Sequence, residues 1–133
     1  MNLRFWGVLI VGLHGGAAIW HLVVTARAVP SAGVMSLTLP ITLIALVHAA
    51  VMFIAWLTAP RIVAWILSAF FIAMLIFDLY EHFLGAVPTN IFHVAPGEWV
   101  GLFRVSVFAL LALELVGIAV ASRWLTSPHA AES

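Results

Sequence analysis

Residues 62–84 read IVAWILSAFFIAMLIFDLYEHFL. The first part of this stretch, residues 62–77, carries no charge. At 1.5 Å per residue a helix of this length rises about 35 Å, enough to cross the roughly 30 Å hydrocarbon core of a bilayer. The stretch closes on Asp78, Glu81 and His82, spaced i, i+3, i+4 and therefore on one helical face. A long apolar run that ends in acids and an imidazole predicts a membrane-spanning helix with a polar face near one membrane surface.

The rest of the chain follows from that helix. Ala59-Pro60-Arg61 before it makes a tight turn, so the apolar run at 37–58 is expected to be its antiparallel neighbour. Pro40 falls in the first turn of that run, where a missing N–H is tolerated. Two further runs, 5–26 and 99–123, have the length and apolarity of spans. Composition agrees: 65% of residues are hydrophobic and 8% charged, whereas a soluble domain has about half apolar and a quarter charged residues. The expected fold is all-α, a polytopic four-transmembrane-helix antiparallel bundle forming one domain over residues 1–133. Residues 85–98 would cap the outer mouth, and residues 126–133 would form a short tail.

Basic and aromatic residues orient the bundle. Arg4, Arg61, Arg123 and the terminal amine fall on one side, Arg27 and Arg104 on the other. The positive-inside rule then places both termini in the cytoplasm, and a bacterial-type inner membrane is the expected location. Trp6, Trp56, Trp65 and Trp124 near one boundary, with Trp20 and Trp99 near the other, suit interfacial belts. Arg4, the apolar run and Ala26-Arg27-Ala28 imitate a signal peptide, but the run is long and holds His14, Trp20 and His21, which favours a retained helix.

Charge and cysteine content narrow the chemistry. Lys+Arg and Asp+Glu are five each, which gives no basic surface for nucleic acid. Cysteine is absent, which excludes thiolate metal sites, iron–sulfur clusters and thiol catalysis. The expected partners are the lipid bilayer, a lipophilic small molecule, and other membrane subunits or a second copy of the chain.

Three polar residues fall at one depth. His14 is nine residues from the start of its run, His48 ten from the end of its own, and Glu114 nine from Arg123. Each is therefore about 13–15 Å deep, near the bilayer centre. A polar group there costs a few kcal/mol and commonly marks a functional interior. His21, two turns from His14 on the same face, joins Asp78, Glu81, His82 and Arg104 in a second polar level. Asp78 and Arg104 are expected to pair, since each alone is costly at that depth. Gly12 and Gly16, with Gly15 between, could admit a neighbouring helix or a flat ligand beside His14. His93 and Glu98 lie in the expected cap, where solvated groups are ordinary.

These positions support three functional expectations. His14 and His48 could be axial ligands of a b-type haem, with His21 and the second polar level suited to a quinone head group. This layout is similar in outline, and in outline only, to the small haem-bearing anchor subunits of respiratory enzymes. Alternatively, Asp78, Glu81, His82 and Arg104 could perform acid–base catalysis on a lipophilic substrate as an isomerase, cyclase or hydrolase. In that case His14, His48 and Glu114 could instead hold a metal ion. The third expectation is a non-catalytic accessory subunit of a larger membrane complex.

Overall fold

The structure, a computed structural model, describes residues 3–30, 43, 46, 47, 49, 50, 53, 54 and 60–127. Among these residues the protein is all helical. Helix α1 spans Leu3–Ala28, α2 spans Pro60–Leu79 and α3 spans Val100–Leu125. A π-helical turn, Tyr80–Leu84, extends α2. Three segments, Phe5–Ala28, Arg61–Leu84 and Val100–Leu125, are long and apolar enough to cross a membrane, which marks an integral membrane protein. Their limits lie within two residues of those expected from the sequence. The expected span at 37–58 falls largely outside the described residues. Its described positions, Leu43, Leu46, Val47, Ala49, Ala50, Phe53 and Ile54, are helical.

The ends of α2 show why the chain bends where it does. Pro60 opens the helix, a position where its fixed φ and missing N–H cost nothing. At the far end the Gly85 N–H bonds to the Tyr80 carbonyl at 2.6 Å, closing the wider π turn. Such turns re-aim the side chains beyond them and often lie at functional sites. Here His82 turns inward and is buried, while Leu84 faces out.

Helix α3 is the centre of the described bundle and packs along both α1 and α2. Two apolar clusters hold it there. The first joins Val11 of α1, Val63, Ala64, Leu67 and Phe71 of α2, and Ala121 and Trp124 of α3. The second joins Val24 and Val29 to Phe103, Val107 and Leu111, and to Ile91 and Val94 of the connecting segment. Trp124 thus lies in the core, whereas Trp65 faces outward, as an interfacial belt requires. The outward faces carry Ile62, Ile76, Phe108 and Leu115, the surface that lipid covers.

The segment at 85–98 is a hydrogen-bonded plug that seals one end of the bundle. Thr89, Asn90, Ile91 and Val94 are buried. Asn90 Nδ2 donates to the Gly85 carbonyl at 2.9 Å, and Asn90 Oδ1 accepts from the Phe92 N–H at 3.0 Å. The Ile91 N–H donates to the His82 carbonyl at 2.9 Å. Arg27 lies over the Trp99 ring at 5.9 Å, tying the end of α1 to the start of α3 by a cation–π contact.

Candidate functional site

Between the two apolar clusters lies a band of buried polar side chains. Helix α1 supplies His14, His21 and Thr25, α2 supplies Asp78 and His82, and α3 supplies Ser106 and Glu114. The α1 members repeat at helical spacing along the stripe that also buries Val11, Ala18 and Val24. One amphipathic face therefore delivers both histidines to α3.

At the inner level His14 meets both other helices. Its Nε2 lies 3.6 Å from Glu114 Oε1, and both residues are almost fully buried, at 1% and 0% exposure. The imidazole is wedged edge-on against Phe70 and Phe71, with ring centroids 5.8 and 5.2 Å away. The Phe71 ring fits because Gly117 has no side chain: a Cβ there would lie 2.5 Å from two of its ring carbons. Glu114 and Gly117 are one turn apart on α3 and share the buried face. Gly117 thus sets the depth of Phe71, and Phe71 sets the angle of His14.

Asp78 joins this level from α2. It approaches Glu114 and lies within the electrostatic reach of Glu81 and His82. His14 Nε2, Asp78 Oδ2 and both Glu114 carboxyl oxygens have no hydrogen-bond partner among the described residues. Each such group is a desolvation cost of about 1–3 kcal/mol. Apolar packing by Phe70 and Phe71 surrounds the cluster.

The second level is, by contrast, well bonded. Ser106 donates its hydroxyl to the Phe103 carbonyl at 2.7 Å, so its oxygen accepts from His21 Nδ1–H at 2.9 Å. His21 Nε2 then accepts from the Thr25 hydroxyl at 3.2 Å. His82 donates Nδ1–H to the Thr89 carbonyl at 2.9 Å. The two imidazoles meet edge to face at 5.1 Å, and both touch Phe103. Glu81, partly buried, accepts from the Thr89 hydroxyl at 2.8 Å.

Several expectations change at this point. Asp78 does not pair with Arg104. Arg104 is exposed and donates to the Ile91 carbonyl at 3.2 Å, because it lies on the outward face of α3 while Asp78 is buried. Among the described residues the one carboxyl–imidazole approach within 4 Å is His14–Glu114. Gly12 and Gly16 have no close neighbour among the described residues. Gly15 is the close approach, 3.7 Å from Leu46 and 3.9 Å from Ala49 as measured from its ideal Cβ. His93 and Glu98 are exposed on the plug. His48 lies outside the described residues. Among those residues no three His, Asp or Glu side chains are grouped so as to hold a metal ion.

Sequence reading had not singled out Gly117, Phe71, Ser106, Thr25, Thr89 or Asn90. A partial signal existed for Gly117, Ser106 and Thr25. Gly117 is three residues from Glu114, and Thr25 is four from His21, both same-face spacings. Ser106 was readable only as a hydroxyl two residues past Arg104, and nothing local marks Thr89 or Asn90. The chain matches no protein-family model, no curated protein sequence and no solved structure.

Proposed function

We propose that this integral membrane protein carries, in its mid-bundle cluster, an acid–base site for a lipophilic ligand that gains or loses protons. The observation that carries this reading is the convergence of His14, Glu114 and Asp78 from three helices, with four buried polar atoms left unpartnered among the described residues. Evolved cores seldom keep such atoms without use, because each costs stability. Two carboxyls side by side in a dry site cannot both carry charge cheaply, so the pair is suited to hold and pass a proton. His14 Nε2 can accept or donate one hydrogen bond beside it.

The ligand class that fits is a quinone-like head group. Its carbonyl oxygens accept hydrogen bonds and take up protons when electrons arrive, and its tail is at home in the bilayer. Glu114 and Asp78 would supply those protons and His14 would orient the ring. The location that accompanies this reading is a bacterial-type inner membrane with both termini cytoplasmic.

Binding can be read directly from the protein's tryptophan fluorescence in lipid nanodiscs titrated with a short-chain ubiquinone or menaquinone analogue. The expected result is saturable quenching that weakens tenfold or more, about 1.4 kcal/mol, in Glu114→Gln and in Asp78→Asn. Wild-type protein that shows no saturable quenching, or Glu114→Gln binding as tightly as wild type, would count against the site.

A haem-bearing subunit is the second reading, favoured by one contact. Gly15 packs against Leu46 and Ala49, so the helix following α1 in sequence lies beside α1 at the level of His14. His14 and His48 would hold the iron, and a haem would add electron transfer to the site. His21 does not fit as a ligand, since both of its ring nitrogens are engaged. An absorption spectrum of the purified protein, oxidised and then dithionite-reduced, should show a Soret band that shifts on reduction and is lost in His14→Ala. A colourless, haem-free preparation removes this reading.

A further inference from the structure

We infer that His82 is a proton relay connecting the Asp78–Glu114 pair to the plugged end of the bundle, with Glu81 as its outer partner. The inference rests on the acid–base reading of the inner cluster and names the path by which that cluster would be recharged.

The geometry of His82 differs from that of its neighbour His21. Both ring nitrogens of His21 are spent on Ser106 and Thr25, so its proton has nowhere to go. His82 is anchored through Nδ1, as a donor to the Thr89 carbonyl. A neutral imidazole that donates from Nδ1 keeps its lone pair on Nε2. Asp78 is one helical turn deeper on the same helix and within electrostatic reach of His82. Glu81 reaches the same Thr89 from the other side, accepting its hydroxyl proton at 2.8 Å. The order from bilayer centre to surface is therefore Glu114, Asp78, His82, then Thr89 with Glu81.

The groups around His82 leave that route open. Helix α1 offers His21, uncharged in this bonding pattern. Helix α2 offers Asp78 and Glu81. Helix α3 offers Phe103 against the ring and Arg104, which is turned outward onto the Ile91 carbonyl. The plug's own titratable groups, His93 and Glu98, are exposed. Among the described residues no cation is set beside His82 to oppose its charging. The π turn is what turns this residue inward, and π turns recur where function needs a re-aimed side chain.

The transfer balances without any other reagent. Protonated Asp78 gives its proton to His82 Nε2, forming a new N–H bond and leaving a carboxylate. The imidazolium loses Nδ1–H to Glu81 as the hydrogen bond to Thr89 opens, and Glu81 releases the proton to water. Reversal of the same hops recharges the pair: Glu81 protonates Nδ1, Nε2–H passes to Asp78, and the ring returns to its starting tautomer. The plug then has a double role: it keeps bulk water out and holds the relay in register.

The test is infrared spectroscopy of the full-length protein in nanodiscs, following the C=O stretch of protonated carboxyls after transfer to D2O. Wild type should show a buried carboxyl band, lost in Glu114→Gln, that shifts as deuterium exchanges. His82→Asn retains an amide donor for the Thr89 carbonyl but has no imidazole to carry a proton. Exchange of the band should slow tenfold or more in His82→Asn and stay unchanged in His93→Gln, a change on the exposed plug. An unchanged rate in His82→Asn overturns the relay while leaving the acid pair intact. Absence of any protonated-carboxyl band in wild type overturns the acid pair itself. If His82→Asn does not fold, Asp78→Asn provides the same reading. It breaks the inner end of the route, so the Glu114 band should again exchange tenfold or more slowly, and an unchanged rate overturns the relay.

Discussion

Gly117→Ala is expected to destabilise the protein by about 1–3 kcal/mol, the usual cost of forcing a methyl into a filled core. The added Cβ would lie 2.5–2.8 Å from three carbons of the Phe71 ring, far inside van der Waals contact. That ring is the tip of a rigid aromatic side chain buried among Val11, Leu67 and Ala121, so it cannot swing aside. Relief must come from separating α2 and α3, which would also tilt His14 off its Phe71 contact. Thermal unfolding in detergent, followed by tryptophan fluorescence, measures the loss. Phe71→Leu in the Gly117→Ala background should recover part of it by freeing space under the new methyl. If Gly117→Ala melts at the wild-type temperature, the helix–helix fit described above is wrong. Phe71→Ala alone opens a cavity instead and should cost about 3–5 kcal/mol.

The second large effect concerns the sign of a double substitution. Glu114→Leu alone removes the carboxyl 3.6 Å from His14 and strands Asp78, and it should cost about 1–3 kcal/mol. Replacing both members of the pair, as His14→Leu with Glu114→Leu, removes two poorly bonded polar groups and fills the space with apolar atoms. Buried ion pairs replaced in this way are commonly neutral or more stable by about 1–4 kcal/mol. The double variant should therefore be more stable than the single one, and at least as stable as wild type, while losing ligand binding. Denaturant unfolding in mixed micelles, set beside the fluorescence titration, separates the two effects. A double variant less stable than Glu114→Leu would mean that the His14–Glu114 contact stabilises the bundle, and the case for a site kept at the expense of stability would lapse.

The two levels of the polar band divide the work. The level of His21, Ser106 and Thr25 is bonded in full, and it locks α1 to α3 with a fixed tautomer. The level of His14, Asp78 and Glu114 is bonded poorly and enclosed by phenylalanines. Full satisfaction rigidifies a core, while partial satisfaction leaves groups free to bind. His82 belongs to the second level and lies one helical turn from Asp78 of the first.

The spans were legible in the sequence because lipid exposure imposes a simple rule. A helix facing hydrocarbon must be apolar for about 20 residues, and residues 62–77 satisfy this without any tertiary information. Depth was legible too, since a fixed rise per residue put His14 and Glu114 at one level, where the structure brings them to 3.6 Å. The shared face of His14 and His21 followed from their seven-residue spacing.

Partner choice was not legible. Rotation of each helix about its axis decides which side chains meet, and it is set by packing that composition does not record. Charge complementarity pointed Asp78 to Arg104, yet the rotation of α3 that seats Phe71 on Gly117 turns Glu114 toward Asp78 and leaves Arg104 outside. The π turn could not be read either, because it arises from how the end of α2 meets the plug. The sequence by itself determined that this protein lives in a membrane and that His14 and Glu114 lie at one depth, because hydrophobic length and helical rise are properties of single segments. Only the tertiary structure decided which of those residues share a site, because that depends on three helices finding one common packing.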